Sequence, residues 1–160
     1  MERVNNICKH PLWKLHMSQL RNAEKERIFC KHGIEHLLDV ARIAYIENLE
    51  CHYHIRKEYI YAAALLHDIG RFLQYSRNIP HEAAGAELAF EILRDCGFDQ
   101  DEQKEILAAI SGHRTVEIRE ERNLAGLIYR ADKQSRVCGL CSALEACNWS
   151  EEKKNYILSI

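Results

Sequence analysis

The stretch from Tyr59 to Phe72, YIYAAALLHDIGRF, limits what this chain can fold into more than any other. Its first eight residues carry no charge and show no alternation of apolar and polar positions, so they do not read as a half-buried strand. A helix that is apolar on every side belongs at the centre of a bundle, where neighbours cover all its faces. Ala62, Ala63 and Ala64 let those neighbours approach closely. The run then ends in His67-Asp68, among the costliest groups to bury. An unpaired buried carboxylate costs several kcal/mol and is normally partnered or bound to metal.

The rest of the chain supports an all-α fold. Only Pro11 and Pro80 interrupt it, and strong helix formers dominate. The pattern predicts a first helix from Pro11 toward about Arg27. A second covers about Gly33 to Leu49, with Ile34, Leu37, Leu38, Ala41, Ala44 and Tyr45 on one broad face. The central helix runs from about Lys57 to Asp68, with Gly70 placed to end it. Further helices are predicted from Pro80 to about Asp95, from about Asp101 to Ser111, and over NLAGLIYRADKQSR. Two short ones follow, in CSALEACNW and SEEKKNYIL. At 160 residues this is one domain, 1–160, with a motif core of about 33–136 and the short helices of 137–160 packed on it.

With 47% apolar residues, the chain has material for a core. A formal net charge of -2 gives no basic excess, which argues against a polynucleotide partner. No apolar stretch is long enough to span a membrane, and MERVNNICKHPLWK has no signal-peptide core. A cytoplasmic location follows, and with it seven cysteines that are thiols rather than disulfides. Cys138 and Cys141 form a Cys-x-x-Cys, half of a zinc motif. No second pair accompanies them, so these and Cys147 are read as core thiols in a helical context. Trp13 and Trp149 are read as packing anchors.

Other groups of the same chemistry stand where predicted helices begin or end. His36 shares an inward face with Val40 and Ala44. His81 follows Pro80, His113 follows ILAAIS, and Asp132 interrupts an apolar stretch. Four histidines and two aspartates therefore project toward one interior. Mixed imidazole and carboxylate ligands suit Fe, Mn, Co, Ni or Zn. Six ligands exceed what one tetrahedral zinc needs and suit two metals sharing a carboxylate. His32, four residues before His36 and on the same predicted helical face, is an alternative ligand.

His36, His67-Asp68 and Asp132, in the settings HLLDVA, HDIG and RADKQSR, resemble the H…HD…D pattern of the HD-domain metal-dependent phosphohydrolases. With His81 and His113 in between, the order is similar to that of the two-metal branch, H…HD…H…H…D. The resemblance spans about Gly33 to Arg136. It implies a compact all-helical domain with one or two divalent metals at its centre, Mg included. It also implies hydrolysis of a small phosphorylated substrate, most often a nucleotide, through attack of a metal-bound hydroxide. His36, His67 and Asp132 would hold one metal, His81 and His113 the second, with Asp68 as bridge. The Gly-Tyr-Pro motif of the cyclic-dinucleotide branch is missing, and Arg71 rather than lysine follows HDIG.

Phosphate also calls for positive charge. Arg71, Arg114, Lys133 and Arg136 each lie close in sequence to a proposed ligand; Arg grips phosphate in two places and Lys acts as a point charge. Glu82, next to His81, is a candidate proton carrier or a partner of the helix dipole. The pocket wall is assigned to Phe72–Ile79 and Thr115–Arg122. Two other functions fit the same ligand order: a di-iron oxygenase on this scaffold, as in myo-inositol oxygenase, and a non-catalytic sensor of nucleotide or metal.

Overall fold

The computed structural model describes residues 1–157. Among them it contains eight α-helices, three single-turn 3-10 helices and no strand. The α-helices are α1 (Glu2–Lys9), α2 (Pro11–Ala23), α3 (Ile34–Glu50), α4 (Lys57–Leu66), α5 (Arg71–Arg77), α6 (His81–Asp95), α7 (Gln100–Gly112) and α8 (Leu124–Gln134).

Helix α4 is the axis of the bundle. It packs against α1, α3, α6, α7 and α8, and Ile60, Ala62, Ala63, Ala64 and Leu66 are wholly buried. Burying Ile60, Leu65 and Leu66 contributes about 1.5–3 kcal/mol each. The three alanines carry no bulk to keep the neighbouring helices away. Trp13 of α2 anchors the outside of this core, its Nε1–H donating to Leu65 O at 3.0 Å.

The HD turn is where structure and pattern part most informatively. Helix α4 ends at Leu66, and His67 to Gly70 form a tight turn leading directly into α5. Gly70 is no left-handed terminator, since its φ is -80°. It is glycine because α6 lies against it: a Cβ there would stand 2.5 Å from both Gly85 N and His81 O. Gly85 answers from the other side, where a Cβ would come 3.2 Å from His67 O. This close crossing brings the first turn of α6, and with it His81, to the HD turn.

Other boundaries differ too. Helix α1 precedes Pro11, and the Pro11 helix stops at Ala23. Helix α7 opens on a capping box, in which Asp99 and Glu102 each accept from the other's backbone N–H. Of the two short helices expected near the C-terminus, the one over CSALEACNW is a run of irregular turns that follows a 3-10 turn at Cys138–Leu140, and the one over SEEKKNYIL is a single 3-10 turn at Glu151–Lys153. Leu158, the end of the second expected helix, lies outside the described residues.

Candidate metal centre

The six groups arrive from five places on the bundle. His36 stands in the first turn of α3, His67 and Asp68 in the turn after α4, and His81 at the first position of α6. His113 caps the C-terminus of α7, and Asp132 lies in the last turn of α8. All but His36 are at most 2% exposed.

They converge as two sets that share one residue. His36, His67, Asp68 and Asp132 form a group with donor atoms within 4.8 Å of one another, as do Asp68, His81 and His113. Asp68 faces both. Its Oδ2 lies 3.2 Å from His67 Nε2 and 3.5 Å from His36 Nε2. Its Oδ1 lies 3.2 Å from His81 Nε2 and 3.8 Å from His113 Nε2. Asp132 Oδ1 closes the first set, 3.4 Å from His36 Nε2.

Hydrogen bonds fix how the rings point. His67 Nδ1–H donates to Ala64 O at 2.8 Å, and His113 Nδ1–H to Ile110 O at 2.6 Å. His81 Nδ1–H donates to Gln74 Oε1 at 2.5 Å. Ser135 Oγ donates to Asp132 O, so it accepts from His36 Nδ1–H at 3.2 Å. With every Nδ1 occupied as a donor, all four Nε2 atoms turn inward, the arrangement of metal-binding histidines. Two consequences support a cation. His36 Nε2, His67 Nε2 and Asp68 Oδ2 are buried without a hydrogen-bond partner. His81 Nε2 and His113 Nε2 face each other at 3.0 Å, and because burial pushes both rings toward the neutral form, two lone pairs meet there. The donor set fits divalent metal.

The electrostatics agree. Burial by itself would raise the Asp68 carboxyl, but His67, Arg71 and His32 around it and the bond from His36 hold it well below the usual carboxylate range. Asp132 is likewise held low against burial by His36, Arg136 and Lys133. Burial pushes His113 down to about 3, and the neighbouring His67 adds to this. His113 is thus a neutral ring able to donate its lone pair.

The four candidate cations divide. Arg71 Nε meets Asp68 Oδ1 at 3.0 Å, Lys133 Nζ meets Asp132 Oδ2 at 2.6 Å, and Arg136 Nη2 meets Asp132 Oδ1 at 3.0 Å. These three neutralise the carboxylates of the site itself. Arg114 is half-exposed and meets Glu82 at 3.7 Å, while the same Glu82 oxygen lies 3.5 Å from His81 Nδ1.

Sequence reasoning misplaced His32 and missed its partner. His32 precedes the N-cap Gly33 and so shares no helical face with His36. It is nonetheless buried, with Nε2 3.9 Å from Asp68 Oδ2. Glu24 fixes it, accepting from the His32 backbone N–H at 2.8 Å and from Nδ1–H at 2.5 Å. Tyr75 O–H, from the helix α5 that the pattern did not reveal, donates to the same carboxylate at 2.8 Å. An eight-residue separation across a loop leaves no periodic trace of the Glu24–His32 pair. A cleft of about 930 Å³ opens beside it, lined by α2 and the following loop, including His32, His36, Lys14, Arg21, Lys25 and Lys31. Neither of the segments assigned to the pocket wall lines this cleft.

A model of the HD domain matches residues 33–137. A protein of Clostridium beijerinckii (strain ATCC 51743 / NCIMB 8052), described as uncharacterized, is 43% identical over 156 residues, 98% of this chain and 98% of the relative. No solved structure matches. Among the described residues no helix is long and apolar enough to cross a membrane.

Proposed function

This chain belongs to the HD-domain family, and on that premise we propose that it is a two-metal phosphohydrolase acting on a small phosphorylated compound, a nucleotide. The observation that carries the reading is Asp68, whose two oxygens face two separate sets of inward lone pairs. His36, His67, Asp68 and Asp132 would hold one divalent metal, and Asp68, His81 and His113 the second. Metals held so supply hydroxide near neutral pH and offset charge on phosphoryl oxygens.

The chain's own residues do the rest. Arg71, Lys133 and Arg136 keep the two aspartates ionised and oriented. Lys133, 39% exposed, is the cation with freedom to turn from Asp132 toward a phosphate. Glu82 braces His81 from outside. His32, oriented by Glu24, faces Asp68 from the side of the cleft; burial pushes it down to about 4, so it stands there as a neutral base able to accept a proton at Nε2. The lysines and Arg21 around the cleft favour an anion there.

The test is a panel of phosphorylated compounds offered to metal-depleted protein after reloading with Mn, Co, Fe, Ni, Zn or Mg. The reading requires phosphate ester or anhydride hydrolysis that depends on metal. Oxygen consumption by the iron-loaded protein with no hydrolysis of any phosphorylated compound would overturn it.

A further inference from the structure

Four of the seven cysteines meet in one place. Cys30 lies in the loop after α2, and Cys138, Cys141 and Cys147 in the turns after α8. All four line a single cavity of about 210 Å³. All four also fall just outside residues 33–137, the segment that the HD domain accounts for. The missing half of the Cys-x-x-Cys motif is thus supplied by Cys147, six residues on, and by Cys30, from the other end of the chain. These residues are not core thiols in helices: Cys138 is buried but Cys30, Cys141 and Cys147 are only half-buried, and the loop runs as successive turns.

We propose that Cys30, Cys138, Cys141 and Cys147 form a second metal centre, separate from the His/Asp site, that holds a [4Fe–4S] cluster.

Three observations support this. The first is ligand chemistry: four thiolates without histidine or carboxylate suit soft metals and iron–sulfur clusters. The second is size. Around one zinc, with Zn–S near 2.3 Å, four sulfurs close to about 3.8 Å from one another and leave no void. A single water needs about 10–15 Å³, the cavity these thiols line together with other side chains is many times that, and among the described residues no three of the sulfurs lie within 4.8 Å of one another. The third is charge. Arg27, Arg136 and Lys154 line the same cavity, suiting the net negative charge of a cluster with four thiolates. Arg136 is 8% exposed, its Nε–H is buried without an acceptor, and its guanidinium lies over Trp149 at 4.8 Å. A buried, unsatisfied donor in the wall of a cavity calls for an acceptor inside it.

The loop is also tied to the rest of the molecule. Asn155 O accepts from the N–H groups of Cys138 (2.9 Å) and Gly139 (3.3 Å), while Asn155 Nδ2 donates to Lys133 O at 2.5 Å. Arg136 spans the two centres, with Nη2 on Asp132 and its side chain in the cavity wall.

Protein purified without oxygen tests the proposal by iron, zinc and acid-labile sulfide analysis and by visible absorbance before and after dithionite. The expected result is about four sulfides per chain, with an absorbance that bleaches on reduction. Cys141→Ser should lose sulfide and its iron but keep metal at the His/Asp site; Asp68→Ala should do the reverse. The wild-type analysis stands even if a variant fails to fold. Zinc at the thiols with no sulfide would overturn the cluster assignment. Neither sulfide nor thiol-bound metal, after iron and sulfide are supplied for reconstitution, would overturn the centre itself.

Discussion

Replacing Gly70 by alanine probes the contact that joins fold to site. The added Cβ would stand 2.5 Å from Gly85 N and His81 O, against the 3.4 Å at which ordinary contact begins, a deficit of about 0.9 Å. Both obstructing atoms are backbone, so no side chain can swing aside. Either the HD turn or the N-terminus of α6 must move. In both cases the 3.2 Å separation of Asp68 Oδ1 and His81 Nε2 changes. Overpacking a tight core contact costs about 1–3 kcal/mol, occasionally more. Metal sites tolerate only about 0.2 Å, so the second ligand set should suffer more than the first, whose His36 and Asp132 stand on α3 and α8. Urea denaturation of the metal-free variant reads the stability change, and metal titration reads the site. The expected result is a loss of about 1–3 kcal/mol with selective weakening of one of two metals. Unchanged stability and full binding of both would refute the account of this glycine.

Three other perturbations follow from the geometry. Arg71→Ala, which unpairs Asp68, should lose about 10–100-fold in metal affinity or activity, measured by metal titration and steady-state kinetics; an unchanged value would place Arg71 outside the working site. Glu24→Gln should lower turnover and alter its pH profile while leaving metal content intact, because His32 would lose its anchor; equal profiles for variant and wild type would remove His32 from the chemistry. Near the N-terminus, the bond from Arg3, opposed by burial, holds the Glu102 carboxyl down to about 2. Since the folded value lies below the unfolded one, near 4.3, the stability this provides is present above about pH 4 and lost as pH falls through 2. Urea midpoints of Arg3→Ala should therefore fall less between pH 5 and pH 2.5 than those of wild type.

The helical character, the central position of α4 and the meeting of six groups that could hold metal were all legible in the sequence, because each leaves a local sign. An apolar run with no alternation marks a buried helix, and a histidine at a helix end marks an inward-facing base. Helix α5 was not legible: RFLQYSR has no buried residue and so no apolar stripe. The C-terminal turns were misread as helices because their composition is helical while their course follows the cysteine loop and the Asn155 contacts. Arg71, Lys133 and Arg136 stood out as cations near ligands, but only the fold shows that they bond the ligand carboxylates. Glu24 meets His32 across an eight-residue loop, and Cys30 lies far in sequence from the cysteines that share its cavity; neither pairing carries a helical spacing to read.

The central claim is that Asp68 joins two ligand sets, and metal stoichiometry tests it most directly. Wild-type protein loaded with Mn or Co, its His/Asp metal counted separately from any bound at the cysteines, should hold two ions per chain at this site, in line with the two groups that share this residue. Asp68→Ala should hold neither tightly and should lose hydrolysis while remaining helical, since Ile60 to Leu66 keep their packing. Two tightly held ions in Asp68→Ala, or none at the His/Asp site of the wild type, would contradict it.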